Sequence, residues 1–334
     1  MIANIRSSHN ARKQKSKIAK ENKLLLDKLD QLEDLPKQLE KMLKDNPLPK
    51  INIPKLKLKK GKKNLGVEAV VTDIHVGLKT DSYSTKKCEK SIQKYTQVML
   101  DEIERLEKNF NVTHIQANFL GDIMQGNKLH GADSQASCEL TDAEQVVEAI
   151  RILFYNFIIP IAKTGKKVQI IGICGNHDRQ EQARPIVNAG KTYLTWIIYN
   201  TMKMMCELTS LKNVTWDIPN KEYTYFDMFG SKVVVEHGHA SGIKSTVQSL
   251  ENQLLKRANQ LGIIAQGIRV GHFHGSLNSN RGRHIIAPSS VSGDCFGDHL
   301  GYVSYPALLL NYYVETKSRD FSYYHSFEVD LSDI

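Results

Sequence analysis

The sequence predicts an α/β fold, and three observations predict it. From Gly66 onward apolar strand-like runs alternate with amphipathic helical patterns, several of the runs close on Gly, Asp, Asn or His, and no internal repeat interrupts the alternation. The chain has 334 residues, 41% of them hydrophobic, enough for one large core with something smaller attached.

The smaller part comes first. Between about Asn10 and Asp45 the chain is rich in Lys, Glu and Leu, and Leu25, Leu29, Leu32, Leu39 and Leu43 fall near a three-four spacing that lines one face of a helix. Pro36 would break one long helix, whereas Asp34 can cap a second one that has Pro36 in its first turn. Residues 1–48 are therefore expected to form a basic helical arm. It serves either as a coiled coil or partner-binding element, including self-association, or as a solvated amphipathic arm. Residues 49–65 follow as a Lys- and Pro-rich linker, suited either to lying along a phosphate backbone or to acting as a solubilising tether.

The main domain is expected over 66–334. VEAVVTD reads as its first strand, and 86–108 as a helix with Ile92, Tyr95, Met99, Ile103 and Leu106 on one face. THIQANFLGD is a second strand, 142–163 a helix, KKVQIIGICGNHD a third buried strand and 190–208 a helix. A strand pair over 213–235, a helix over 243–260 and a strand over 263–271 continue the pattern, and after Ile285 the chain reads mostly β.

Charge is unevenly placed. The net charge of +9 belongs to residues 1–63, with 18 Lys and Arg against 7 Asp and Glu; residues 64–334 hold 27 against 29. A basic appendage on a near-neutral body points to a polyanionic partner such as nucleic acid, DNA above all. No apolar run has the ~20 residues of a spanning helix, and the N-terminus lacks the apolar core of a signal peptide, so the expectation is a cytoplasmic protein with no membrane partner. The five cysteines are scattered and never form CxxC, which argues against a disulfide framework and against a thiolate metal site.

The chemistry lies where the apolar runs end. AVVTDIHVG offers Asp73 and His75, NFLGDIMQG offers Asp122, IIGICGNHD offers Asn176, His177 and Asp178, VVVEHGH offers His237 and His239, and RVGHFHG offers His272 and His274. In open α/β sheets such ends converge on one rim where ligands bind. Residues two apart on a strand point the same way, so Asp-x-His and His-x-His should each present a pair of ligands. Carboxylates with neutral imidazoles are what two cations about 3.5–4 Å apart need: a shared anion to offset their repulsion and neutral donors to complete each shell.

The order Asp-x-His, Gly-Asp, Gly-Asn-His-Asp, His-Gly, Gly-His-x-His, spread from Val67 to just beyond His274, resembles the calcineurin-like metallophosphoesterases. The resemblance implies a four-layer α/β/β/α sandwich. It implies that Asp73, His75, Asp122 and His274 hold one divalent ion and that Asp122, Asn176, His237 and His272 hold a second, with Asp122 bridging. Manganese suits these ligands first, with iron, zinc, nickel or magnesium as alternatives. Hydroxide between the ions would attack phosphorus in line, and His177, oriented by Asp178, would protonate the leaving oxygen or stabilise charge on the phosphate.

Around this set, Arg179 is a candidate phosphate fork, His239 a candidate substrate contact, and His130 a candidate that enters from the loop 126–140. Gln125 stands where family members often carry an acid or a histidine, so it can hydrogen-bond to substrate but cannot act as an acid. Arg281 and Arg283 lie in a polar, Gly-rich stretch that loosely resembles the segment after the last motif in the nuclease subunits of DNA-break repair complexes. The expected function is thus a metal-dependent phosphodiesterase or nuclease, an exonuclease included. Phosphomonoester hydrolysis and a non-catalytic adaptor are the alternatives.

Overall fold

The computed structural model describes residues 50–129, 131–181, 183–184, 187–239, 242–291, 305–316 and 321–334. The helical arm and His130 lie outside the described residues. The chain divides into two units, 1–50 and 51–334, and the second carries all the described strands and helices.

Its first sheet runs in the order β11-β10-β1-β2-β3-β4, built from Asn64–Val71 (β1), Asn111–Leu120 (β2), Lys167–Ile173 (β3), Val214–Asp217 (β4), Ala307–Val314 (β10) and Tyr323–Asp330 (β11). The strands β1 to β4 are mutually parallel, while β10 and β11 are antiparallel additions. The second sheet, β5-β6-β7-β9-β8, uses Tyr223–Met228 (β5), Ser231–Glu236 (β6), Gly267–Val270 (β7), Leu277–Ser279 (β8) and His284–Ile286 (β9), with β6, β7 and β9 parallel.

Side-chain alternation sorts the sheets into layers. Along β1, Val67, Ala69 and Val71 pack into the core shared with Thr85–Leu106 (α1), Asp142–Leu153 (α2) and Leu194–Leu208 (α3), while Val70 faces the other way. Val70, Leu120, Ile171 and Ile173 meet Phe226, Val233, Val235 and Ile285 between the sheets. Val234, Ile268 and Val270 point outward to Leu250 and Leu254 of Val247–Leu261 (α4). The result is helix, sheet, sheet, helix, the four layers expected.

Between the sheets lies a charged pair that apolar packing would not supply. Glu68 of β1 and Arg269 of β7 are fully buried and 3.1 Å apart. Glu68 also accepts from Asn118 Nδ2, Asn311 Nδ2 and Tyr313 Oη, and Arg269 donates to Tyr313 Oη and to the carbonyls of Ile268 and Gly282. Every charge is thus hydrogen-bonded, the condition on which a buried ion pair persists.

Three elements differ from the sequence reading. The expected strand pair over 213–235 is three strands, and β4 joins the first sheet whereas β5 and β6 belong to the second. The helix expected over 190–208 is interrupted at Tyr193, whose extended backbone (φ −96°, ψ 150°) starts α3 afresh. The helix over 142–162 contains a π turn at Phe154–Ile158. By length and composition this last helix could cross a membrane. Ile152, Leu153, Phe154, Phe157, Ile158 and Ile161 instead bury themselves in the core of the first sheet.

The Lys-rich segment is held against the domain at several points. Ile51 N donates to Thr209 O, and Asn111 clasps the backbone of Lys59 and Lys62 with its side-chain amide. Ile51 and Ile53 pack on the main core.

Candidate metal centre

The ends of β1, β2, β3, β6 and β7 meet on one rim, since these strands are parallel within their sheets and the sheets pack face to face. Just past those ends the side chains form two groups of ligand atoms, each with its atoms within 4.8 Å of one another: Asp73, His75 and His274, and Asp122, His237 and His272. Asn176 joins the second group through Oδ1, 3.1 Å from His237 Nε2.

Strand alternation is not what aims them. β1 ends at Val71 and β7 at Val270, and Asp73, His75, Asp122, His272 and His274 all lie in loops at φ between 42° and 70°. Such angles are uncommon for residues with a Cβ, and their concentration here shows the surrounding structure enforcing a local strain. His272 and His274 fall in different groups.

Two glycines make the loops fit. A Cβ on Gly175 would lie 2.1 Å from Asp122 Oδ1 and 2.2 Å from Asp122 N, and one on Gly271 would lie 2.2 Å from Thr72 Oγ1 and 2.7 Å from Asp73 Oδ2. The bare backbone lets one loop approach the carboxylate of the next. His272 N accordingly donates to both Asp73 oxygens, at 3.2 and 3.0 Å, and His177 N donates to Asp122 Oδ1 at 2.8 Å.

The hydrogen bonds also decide which ring nitrogens face the centre. His237 Nδ1 lies 2.7 Å from the Leu120 carbonyl, which only accepts, so Nδ1 carries the hydrogen and Nε2 turns to Asp122 Oδ2 at 2.9 Å and Asn176 Oδ1. Three acceptor atoms around one point require a cation between them. In the metal-free protein that cation is a proton: burial works against it, yet the Asp122 and Asp73 carboxylates hold His237 up at about 9.

His75 is fixed in the same way. Its Nδ1 pairs with Gln125 Oε1 at 2.8 Å and its Nε2 faces His274 Nε2 at 3.2 Å, which lies 3.3 Å from Asp73 Oδ1. Burial, with His177 and His274 alongside, pushes His75 down to about 3; burial and His237 push His272 down to about 4. Although burial opposes it, His237 and His274 hold Asp73 at about 2, and His237 and His177 hold Asp122 well below the carboxylate range. Charged carboxylates with neutral imidazoles form the donor set that suits divalent ions without thiolate chemistry.

Several expected roles change. Asp178 does not serve to orient His177. Its carboxylate accepts four backbone N–H groups, from Gly175 at 2.6 Å, Asp122 at 3.0 Å, Ile123 at 3.1 Å and Met124 at 3.3 Å, and so clamps two ligand loops together. Burial and the neighbouring Asp122 charge push it up to about 7. His177 is steered by the Gln125 carbonyl, 2.9 Å from Nδ1, with its ring edge-on to His75 at 4.7 Å. The Gln125 side chain is buried against His75 and so orients a candidate ligand.

Arg281 and Arg283 are placed at the wrong end of the second sheet. The β8–β9 turn that carries them sits at the start of β9, and β9 runs parallel to β7, whose far end leads to His272. Arg283 is also committed to a two-pronged ion pair with Glu251 of α4. His239 lies beside the candidate centre. The His239 ring is 5.4 Å from His237 and 6.4 Å from His272, and the Arg179 backbone bridges to Tyr193.

Sequence reasoning missed Glu222, which accepts from His239, Tyr193 and Arg184, and Ser289, whose hydroxyl holds the Asp73 carbonyl at 2.7 Å. Neither belongs to a strand-end motif. Glu222 arrives on the crossover between the two sheets, where only the tertiary fold brings it near.

The helix, sheet, sheet, helix layering is the one that the resemblance to the calcineurin-like metallophosphoesterases implies. No family model and no curated protein matches the chain. Among solved structures, Vps29 of Entamoeba histolytica, complexed with zinc, aligns at 12% identity over 79% of this chain and 99% of its own, with a TM-score of 0.33. A predicted phosphoesterase of Streptococcus pneumoniae aligns at 14% identity over 80% and 98%, with a TM-score of 0.31. A putative 5′-nucleotidase of Staphylococcus aureus aligns at 10% over 80% and 54%, with a TM-score of 0.33. The two-sheet architecture rests on this chain's own strand order and register, and the candidate metal centre on its own side chains.

Proposed function

We propose that the protein is a dinuclear-metal phosphoesterase acting on phosphodiesters in nucleic acid. The observation that carries this reading is the pair of carboxylate–imidazole groups, in each of which the ligand atoms lie within 4.8 Å of one another. Asp73, His75 and His274 would hold one divalent ion and Asp122, Asn176, His237 and His272 the other, with Asp122 shared. Manganese fits these oxygen and nitrogen donors. Ions bound there would supply hydroxide at neutral pH and polarise the phosphoryl oxygens.

The protein's own residues do the rest. Gln125 and the Leu120 carbonyl hold the imidazoles in the tautomers that face the centre, and Asp178 locks the loops. His177, which is no member of either ligand group, stands beside the first one and would give a proton to the departing oxygen. A nucleic-acid substrate is favoured by the 18 basic residues of the first 63.

The test is hydrolysis of labelled single- and double-stranded DNA, bis-p-nitrophenyl phosphate and p-nitrophenyl phosphate in manganese, with Asp122→Asn as the blank. Cleavage of DNA and of the diester by wild type alone supports the reading. Turnover of the monoester alone would make the protein a phosphatase.

A further inference from the structure

Glu222 takes no part in the candidate metal centre, yet its carboxylate is fully engaged. Oε1 lies 3.0 Å from His239 Nε2 and accepts from Tyr193 Oη at 3.1 Å, and Oε2 accepts from Arg184 Nη2 at 2.6 Å. A carboxylate flanked by these donors accepts, so His239 carries a hydrogen on Nε2, and in the neutral ring Nδ1 is left as an acceptor. That atom is buried without a partner among the described residues, in a side chain only 4% exposed beside His237 and His272. A second buried atom, Nε of Arg179, whose side chain bonds to Tyr193 through another nitrogen, also has none among them. Native structures seldom leave such atoms unmatched, and an acceptor and a donor without partners beside a phosphate-binding centre invite a ligand that offers both complements.

We propose that Glu222 is a positioning residue that fixes the His239 ring, so that Nδ1, together with Arg179 Nε, recognises the alcohol portion of a phosphate ester bearing a hydroxyl group. The inference rests on the phosphoesterase reading and narrows its substrate to esters of the sugar or nucleoside kind. The hydroxyl donates to His239 Nδ1, and Arg179 donates to an oxygen of the same ligand. Neither residue holds metal.

The experiment compares wild type, Glu222→Gln and His239→Ala on two esters in manganese. Bis-p-nitrophenyl phosphate has no hydroxyl, and the p-nitrophenyl ester of thymidine 5′-phosphate has one. Bound manganese and the His239 ring tautomer, read from nitrogen-15 NMR, are measured alongside. His239→Ala should lower kcat/KM for the thymidine ester by roughly ten- to a hundredfold, the scale of one lost buried hydrogen bond. The diester without hydroxyl should stay within about twofold and manganese content should not change; Glu222→Gln should shift in the same direction, and wild type should show the hydrogen on Nε2. An equal fall on both esters, an unchanged ratio, loss of manganese or a hydrogen on Nδ1 would each overturn the inference. A wild type inactive on both esters would overturn the phosphoesterase reading itself, and the tautomer and metal readouts tell the two failures apart.

Discussion

Replacing Arg269 by Met removes one half of the fully buried ion pair that joins β7 to β1. Glu68 would keep its bonds to Asn118, Asn311 and Tyr313 but would remain a fully buried carboxylate with no counter-charge. Breaking a buried pair in this way costs about 3–5 kcal/mol, against roughly zero for removing both charges with matched volume. Arg269→Met should therefore lower the unfolding free energy by that amount, and Glu68→Gln combined with Arg269→Met should recover most of it. Urea unfolding followed by fluorescence and circular dichroism measures both, with the m-value checking that the extent of unfolding is unchanged. A loss below about 1 kcal/mol for the single variant, or a double variant as unstable as the two singles summed, would refute the reasoning. Because β1 leads to Asp73 and β7 to His272, the single variant should weaken manganese binding as well.

Gly175→Ala should weaken manganese binding at least tenfold, because the new Cβ would meet Asp122 Oδ1 and N at 2.1–2.2 Å and backbone cannot yield; calorimetric titration reads it. His177→Ala should keep both ions while losing about 10²–10⁴ in kcat, as expected for a proton donor that holds no metal; retained rate would remove it from the chemistry. The affinity for manganese should rise about tenfold per pH unit between about 7 and 9 and flatten above, because the ion must displace the His237 proton. The sign is that of a raised pKa: the proton's contribution to the metal-free fold is complete below about 6.5 and lost as pH passes about 9. A pH-independent affinity over that window would contradict it.

The layers were legible in the sequence because they follow from local pattern. Apolar runs predicted buried strands, and their ends carried Asp73, Asp122, His237 and His272, which the fold brings into two neighbouring groups. What the sequence hid depends on geometry that residue spacing does not carry. The left-handed backbone of Asp73, His75 and His274 replaced the strand alternation assumed for them. Asp178, adjacent to His177 in sequence, turns back to four amides, because the Gly-Asp loop brings more donors within its reach than the imidazole offers. Arg281 and Arg283 followed the GHFH motif closely in sequence, but one hairpin carried them to the opposite end of the sheet. A sharper reading was available for Glu68 and Arg269, two opposite charges set inside apolar strands, since a charge there needs a partner.

The count of manganese ions bound by the metal-free protein tests the central claim most directly, with wild type compared to Asp122→Asn. Two ions per chain for wild type, and loss of affinity at both positions in the variant, is the predicted result. A wild type that binds none, or a variant that binds two as tightly, would contradict a centre built around Asp122.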